Sequence, residues 1–279
     1  MLRFHHTAMA AQFDIRCAHP DERYARQAAR MAFEAVDRLE QQLSRFVENS
    51  DISRINHLAA GEETKIGLET MECLRLARLV YDETGGACDP SIGTGFARLE
   101  LIADAFAVRA GADGVQLDLG AIGKGYAVDR IAEVLEDWDV HEALVDAGYS
   151  SVLALEPPAG REDWPLTLSL PGEADGAVFA RIGARQRALG ASGIRKGDHI
   201  HDPRTGTPVR ARQAAWVSGS RDVLCGISRR AGLRPSPAAL ADALSTAFMI
   251  VPAEQIDQYC QTHGIEAWIL EGGVTHFPM

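Results

Sequence analysis

The chain has 279 residues, 46% of them hydrophobic, enough to fill the core of one large domain or two small ones. A formal net charge of −11 and an isoelectric point near 5.3 argue against a nucleic-acid partner, because neutralising phosphates needs a surplus of Lys and Arg. The five cysteines form no CxxC pair and no zinc spacing, so free buried thiols are expected and not a disulfide framework or a zinc site.

In chain order, the first ten residues show no apolar run behind basic residues. No later stretch reaches the roughly 18 to 20 apolar residues of a membrane span, so a cytoplasmic chain is expected. Residues 7–17 read as a first strand. Residues 21–43 have the period of a long helix with Ala28, Met31, Ala35, Leu39 and Leu43 on one stripe, closed by the polar turn Glu48, Asn49 and Ser50. A second helix over 68–83 puts Met71, Leu74, Ala77 and Tyr81 on one face and stops at Gly85-Gly86. From Ala105 a strand, a glycine turn over 111–114 and a strand over 115–119 lead through a glycine loop into a helix with Ala127, Ile131, Val134 and Leu135 inward. Short strands follow at 143–145, 151–155, 166–170 and 178–182, with Pro157, Pro158, Gly160 and residues 172–176 marking loops between them. A helix over 237–251 with Ser236 as N-cap, a helix over 253–263 and a terminal strand over 267–270 complete the pattern. Strand runs beside segregated helices predict an α+β fold.

Three segments carry chemistry. In Asp118-Leu119-Gly120-Ala121-Ile122-Gly123-Lys124-Gly125 a strand runs through glycines into a helix. This exposes amide N–H groups where an anion is favoured, with Lys124 beside them and Asp118 able to accept from a ring or sugar. The spacing is not that of a P-loop, and a glycine-rich packing turn is the alternative reading. In Ala241-Asp242-Ala243-Leu244-Ser245-Thr246-Ala247, Asp242 and Thr246 share a helix face with Ser245 beside them. These are hard oxygen ligands in an otherwise apolar helix, and magnesium suits them, with phosphate and water completing its shell. The alternative is an Asp serving the helix dipole and two hydroxyls bonded back to carbonyls. In His199-Ile200-His201-Asp202-Pro203-Arg204-Thr205-Gly206, alternation puts both histidines on one side of an extended segment before a turn; a histidine there suits general-base work on an attacking hydroxyl, and surface decoration is the alternative.

Together and in this order the segments resemble the FAD:protein FMN transferase family, also called ApbE. Residues 118–129 match its Asp-Leu-Gly, gap, Lys-Gly-Tyr-Ala-Val-Asp; residues 199–206 match its His-x-x-Asp-Pro-x-Thr-Gly; residues 241–247 match its Ala-Asp-Ala-Leu-x-Thr-Ala. Thr84-Gly85-Gly86-Ala87-Cys88-Asp89-Pro90 and Ser50-Asp51-Ile52-Ser53-Arg54-Ile55-Asn56 are similar to two further family motifs. The resemblance implies a T-fold-like core of antiparallel strands and helices with an added α/β portion, as a single domain over 1–279 or as two lobes with the active site between them. It implies FAD contacts at Met9, Phe46, Ala87, Cys88, Asp89, Asp118, Lys124 and His201. Magnesium, or manganese in its place, is implied at the Ala121 carbonyl, Asp242 and Ser245 or Thr246, with His199 as the base. The implied reaction moves FMN from FAD onto a Thr or Ser of a target flavoprotein and releases AMP. FAD hydrolysis to FMN and AMP, and FAD binding without cleavage, are the other readings. The chain departs from the family at Met9-Ala10-Ala11, where Met-Gly-Thr is usual, at Phe46 in place of a Tyr, at Asp146-Ala147-Gly148 in place of Gly-Gly-Asn, and at Ala191-Ser192-Gly193-Ile194-Arg195, after which the loop to His199 is short.

Overall fold

Two strands open the chain, Leu2–Ala8 (β1) and Ala11–Cys17 (β2), joined by a two-residue turn in which Met9 and Ala10 both have positive φ, 51° and 54°. The single strand expected over 7–17 is therefore a hairpin. Two successive left-handed residues match the twist of a tight hairpin, and neither is the Gly or Asn that announces such a turn in sequence. A computed structural model describes residues 1–170, 177–194, 197 and 200–279.

Helix α1 (Glu22–Leu43) is capped by Asp21, whose side chain accepts from the Tyr24 N–H. It buries Ala25, Ala28, Ala29, Ala32, Val36, Leu39 and Leu43, so the expected stripe is rotated and Met31 is left 39% exposed. The small alanines form the face that packs, because they let α1 approach the neighbouring helix closely. A short helix, α2 (Asp51–Asn56), follows its Ser50 cap, and then come β3 (Glu63–Lys65), α3 (Leu68–Glu83), β4 (Leu99–Ile102) and β5 (Ala107–Ala110). The chain continues through α4 (Gly123–Asp137), β6 (Ala143–Ala147), β7 (Ser151–Ala154), β8 (Trp164–Ser169), β9 (Val178–Ala184) and β10 (Arg187–Gly193). It closes with β11 (His201–Asp202), β12 (Thr207–Pro208), β13 (Ala214–Ser220), α5 (Arg221–Arg230), α6 (Pro237–Ala247), α7 (Ala253–His263), β14 (Glu266–Leu270) and β15 (Val274–Phe277). The strand expected to be terminal thus pairs with one more.

An eight-stranded antiparallel sheet runs in the order β1-β2-β6-β7-β10-β13-β14-β15. Its strands alternate. Val145, Leu153, Ala188, Val217 and Ile269 face a layer of α1, α4 and α6, while Leu144, Val152, Leu189, Trp216 and Leu270 face the β8–β9 hairpin and Trp164. A three-stranded sheet, β3-β5-β4, stands beside α2 and α3. The α+β expectation is met. The helix expected to reach 251 ends at Ala247, where Arg212 takes over the last carbonyls by donating to those of Phe248 and Val251. Among the described residues no helix is long and apolar enough to cross a membrane.

Candidate functional site

Two glycines fix the centre. A Cβ on Gly125 of α4 would collide with the Ala238 carbonyl of α6, and a Cβ on Gly190 of β10 would collide with the Ala241 carbonyl. Helix α6 therefore rests backbone to backbone against both neighbours, a contact that no other residue permits. The two helices then cap each other. Asp129 of α4 accepts from the N–H groups of Ala238 and Ala239, both at 2.9 Å, and Asp242 of α6 accepts from the Gly125 N–H at 3.1 Å. Each carboxylate sits at the positive end of the other helix. Asp129 thus does the capping expected of Ser236, whose hydroxyl donates to the Arg234 carbonyl instead. Burial pushes the Asp129 carboxyl up to about 7, with Arg130 and the two N–H bonds acting the other way.

Asp242 is 2% exposed, and burial raises its carboxyl above the ordinary range, while the Lys124 ammonium, Nζ to Oδ2 3.3 Å, favours the charged form. One turn on, Ser245 donates to the Asp242 carbonyl at 2.8 Å. Ser192 of β10 places its hydroxyl 2.8 Å from Ser245 Oγ and 2.9 Å from Thr246 Oγ1. Asp242, Ser245, Thr246 and Lys124 are thus assembled as the motifs suggest, and Ser192 joins them. Its signal was parity: Gly190 faces α6, so Ser192, two residues along the same strand, does too.

The glycine loop differs from the open cradle expected. Gly120 N–H donates to Asp118 Oδ1, Ile122 and Gly123 donate to the Leu119 carbonyl, and Gly125 is taken by Asp242. These amides are satisfied within the protein, so positive charge reaches the loop chiefly through Lys124, whose Nζ also donates to the Gly120 carbonyl at 3.1 Å. Residues 115–119, expected as a strand, join no sheet. Asn56 at the end of α2 grips Leu117 on both sides, accepting its N–H at 2.6 Å and donating to its carbonyl at 3.0 Å, and the Asp118 N–H donates to the Pro90 carbonyl at 2.7 Å. A side-chain amide replaces the neighbouring strand. Asp118 is then held by Arg45, Nε to Oδ2 2.8 Å, and the Arg45 guanidinium carbon lies 4.4 Å from the ring centroid of Phe46, which is 80% exposed. Sequence reasoning missed Arg45 and Asn56; the motif carrying Asn56 was noted without a role.

Around this floor, Asp89 closes its own loop, accepting from Ser91 N–H and Oγ at 2.7 Å and from Gly93 N–H at 3.1 Å. Gly93 lies against the Pro203 carbonyl, so the β11–β12 hairpin that begins at His201 rests on this loop. Arg204 forks onto Asp202 there and holds its carboxyl below the usual range. Cys88 is buried, its thiol pushed up to about 12 by burial and by the charges of Asp242 and Asp89, which makes it a packing group and not a nucleophile. Ala87 is buried beside it. The Met9 methyl lies against Gly123, and its N–H donates to Glu40 Oε1 at 2.9 Å. Met9, Cys88, Asp89, Asp118, Lys124, His201, Asp242, Ser245 and Thr246 therefore belong to one linked region, with Phe46 on its rim and Ala121 in the loop between Gly120 and Gly123. His199 lies outside the described residues.

Among the described residues no three His, Cys, Asp or Glu side chains cluster as a metal site. One buried carboxylate with two hydroxyls and a loop carbonyl is instead a sparse, hard-oxygen set, which fits a magnesium ion that takes its remaining ligands from phosphate and water. Two cavities of about 390 and 510 Å³ lie away from this region, one along β1 and α1, the other between α3 and residues 232–234.

A family model described as ApbE family matches residues 9–269. The FAD:protein FMN transferase of Klebsiella pneumoniae (strain 342) is 21% identical over 85% of this chain and 74% of its own length. That of Treponema pallidum (strain Nichols) is 26% identical over 63% and 62%. Among solved structures, the flavin transferase ApbE from Vibrio cholerae superposes with a TM-score of 0.82 at 18% identity, covering 99% of this chain and 96% of that one. The ApbE protein from Thermotoga maritima gives 0.82 at 22% identity with the same coverage.

Proposed function

Because the chain belongs to the ApbE family, we propose that it is an FAD:protein FMN transferase that attaches the FMN half of FAD to a Thr or Ser hydroxyl of a target flavoprotein. The observation that carries this reading is the buried Asp242, paired with Lys124 and set beside the Ser192, Ser245 and Thr246 hydroxyls at the mouth of a glycine loop. Asp242, Ser245, Thr246 and the Ala121 carbonyl would hold magnesium. When bound, that ion offsets charge on the diphosphate oxygens. Lys124 orients the diphosphate and favours the ionised form of Asp242. Asp118, already turned toward Arg45, offers a carboxylate to the flavin ring or sugar, with Met9 and Phe46 as apolar contacts and His201 and the Asp89 loop along one wall. The acceptor oxygen forms its bond to the FMN phosphorus, the bond from that phosphorus to the AMP oxygen breaks, and His199 takes the hydroxyl proton.

The test is incubation with FAD and magnesium, with and without chelator, followed by chromatography of the nucleotides. AMP that appears only with the metal supports the reading; FAD that binds and stays whole makes the chain a flavin-binding protein.

A further inference from the structure

Strand β1 is an edge of the large sheet, and among the described residues no strand pairs with its outer side. Its seven residues contain no proline, and its ladder to β2 contains no bulge. Such an edge is a template for another strand. The turn sets which of its groups are available. In a two-residue hairpin the flanking residues, here Ala8 and Ala11, bond each other, so Leu2, Phe4, His6 and Ala8 bond β2 while Arg3, His5 and Thr7 aim N–H and C=O outward. The opposite strand agrees, since the carbonyl of Gln12, across from Thr7, turns away from β1 to accept the Gly148 N–H at 2.8 Å.

Beside this edge runs the 390 Å³ groove, walled by Phe4 and His6 on β1 and by Phe33 on α1. Along α1 the charged residues facing the groove are Arg26 and Arg30, then Glu34 and Asp37, so the stripe is basic in one half and acidic in the other. Within the chain Arg26 pairs with Glu22, Arg30 with Glu34 and Asp37 with His6, all exposed pairs that a partner's charges can join or exchange with. The strand and the stripe share a midpoint. The Arg26 guanidinium carbon lies 5.5 Å from the Phe4 ring centroid, and His6 Nε2 lies 2.6 Å from Asp37 Oδ1, which places His5 level with the change of sign between Arg30 and Glu34.

We propose that this edge is the interface of a homodimer, in which β1 strands from two copies pair antiparallel about a two-fold axis through His5 and join their sheets into one. The axis makes outward residues the bonded ones, Arg3 opposite the partner's Thr7 and His5 opposite itself. The same axis sets Arg26 toward the partner's Asp37 and Arg30 toward the partner's Glu34, and brings the two grooves, each with Phe4 and Phe33 among charged side chains, against each other. A register shifted by one residue loses the strand bonds; one shifted by two pulls the charge pairs apart. A local pattern that complements itself fits a second copy better than an unrelated partner, and it draws the copies together despite a formal charge of −11 on each.

Sedimentation velocity on the full chain, from about 1 to 50 µM, tests this, and a reversible dimer is expected. His5→Pro removes an outward N–H that the β1–β2 ladder does not use, so it should weaken the dimer at least about tenfold, and at concentrations where both chains are monomeric it should leave the melting temperature near the parent's. Arg30→Glu should weaken it about as much, and Arg30→Glu/Glu34→Arg should restore it to within about threefold. A monomer throughout the range overturns the proposal. So does a dimer that ignores both single substitutions.

Discussion

The centre of the site and its rim are held in place by different physics. At the centre, α4, α6 and β10 meet backbone to backbone at Gly125 and Gly190, and Asp129 and Asp242 cap each other's helices, Asp242 being also the proposed metal ligand. At the rim, Asp118, Asp89 and Phe46 stand on loops and His201 on the short β11, held by a few side-chain bonds, those of Asn56 to Leu117, Arg45 to Asp118 and Asp89 to Ser91 and Gly93. On the proposed function, a change at the centre is therefore expected to reach folding as well as chemistry, and a change at the rim to reach binding alone.

The largest effect is expected at Gly190→Val, where the new side chain meets the carbonyl of Ala241 and neither backbone can yield. It should cost about 3 kcal/mol or more and lower the melting temperature by about 6 to 12 °C. An unchanged melting curve would show that α6 does not lie on β10 in this way. Next is Asp242, where two substitutions separate its roles. Asp242→Ala leaves the Gly125 N–H without its acceptor and should cost about 1 to 2 kcal/mol, visible in urea unfolding. Asp242→Asn keeps an acceptor, so its stability should stay near the parent while AMP release falls about 100-fold or more. Equal losses of stability in the two variants would dissolve the distinction between cap and charge.

Asp129 gives a pH test. Its carboxyl stands at about 7 in the fold against an ordinary value of 3.8, so the folded state binds its proton more tightly than the unfolded one. The stability it contributes is complete below the unfolded value and is lost as pH rises through about 7. Between pH 5 and 8 the melting temperature of the parent should therefore fall relative to that of Asp129→Asn, which has no proton to lose. Parallel curves would show that the N–H bonds from Ala238 and Ala239 keep this carboxylate charged. The smallest effect belongs to Phe46→Ala. An exposed ring contributes within about 0.5 kcal/mol to stability, so unfolding should not change, while KM for FAD should rise about threefold to tenfold through lost stacking. A drop in melting temperature would move Phe46 out of the rim.

What could be read from the residues follows the same division. Helices α3 and α7 were legible because apolar period and end signals agreed; α1, α4 and α6 were legible by period, although the α1 stripe is rotated and α6 is capped by Asp129 and ends at Ala247, and the Asp242–Ser245–Thr246 face followed from helix geometry. Strand β10 escaped notice because Gly190 and Ser192 suit a close contact with α6 and not a strand's own propensity; only the tertiary contact explains them. The β1–β2 turn was hidden in Met9 and Ala10, residues that rarely accept positive φ. Residues 115–119 have the pattern of a strand but pair with none; the partner of Leu117 is the side chain of Asn56, 61 positions away, which no local pattern announces. The open amide cradle failed for a related reason: a helix start has orphan donors only until a carboxylate from elsewhere, here Asp242, takes one.

The most direct test of the central claim is the intact mass of an acceptor flavoprotein incubated with this chain, FAD and magnesium. The account expects the acceptor to gain the mass of FMN on a Thr or Ser, with one AMP released per adduct, and expects both products to vanish with chelator or with Asp242→Asn. AMP and free FMN accumulating at the same rate with or without the acceptor, and no adduct, would contradict it and make the chain an FAD hydrolase.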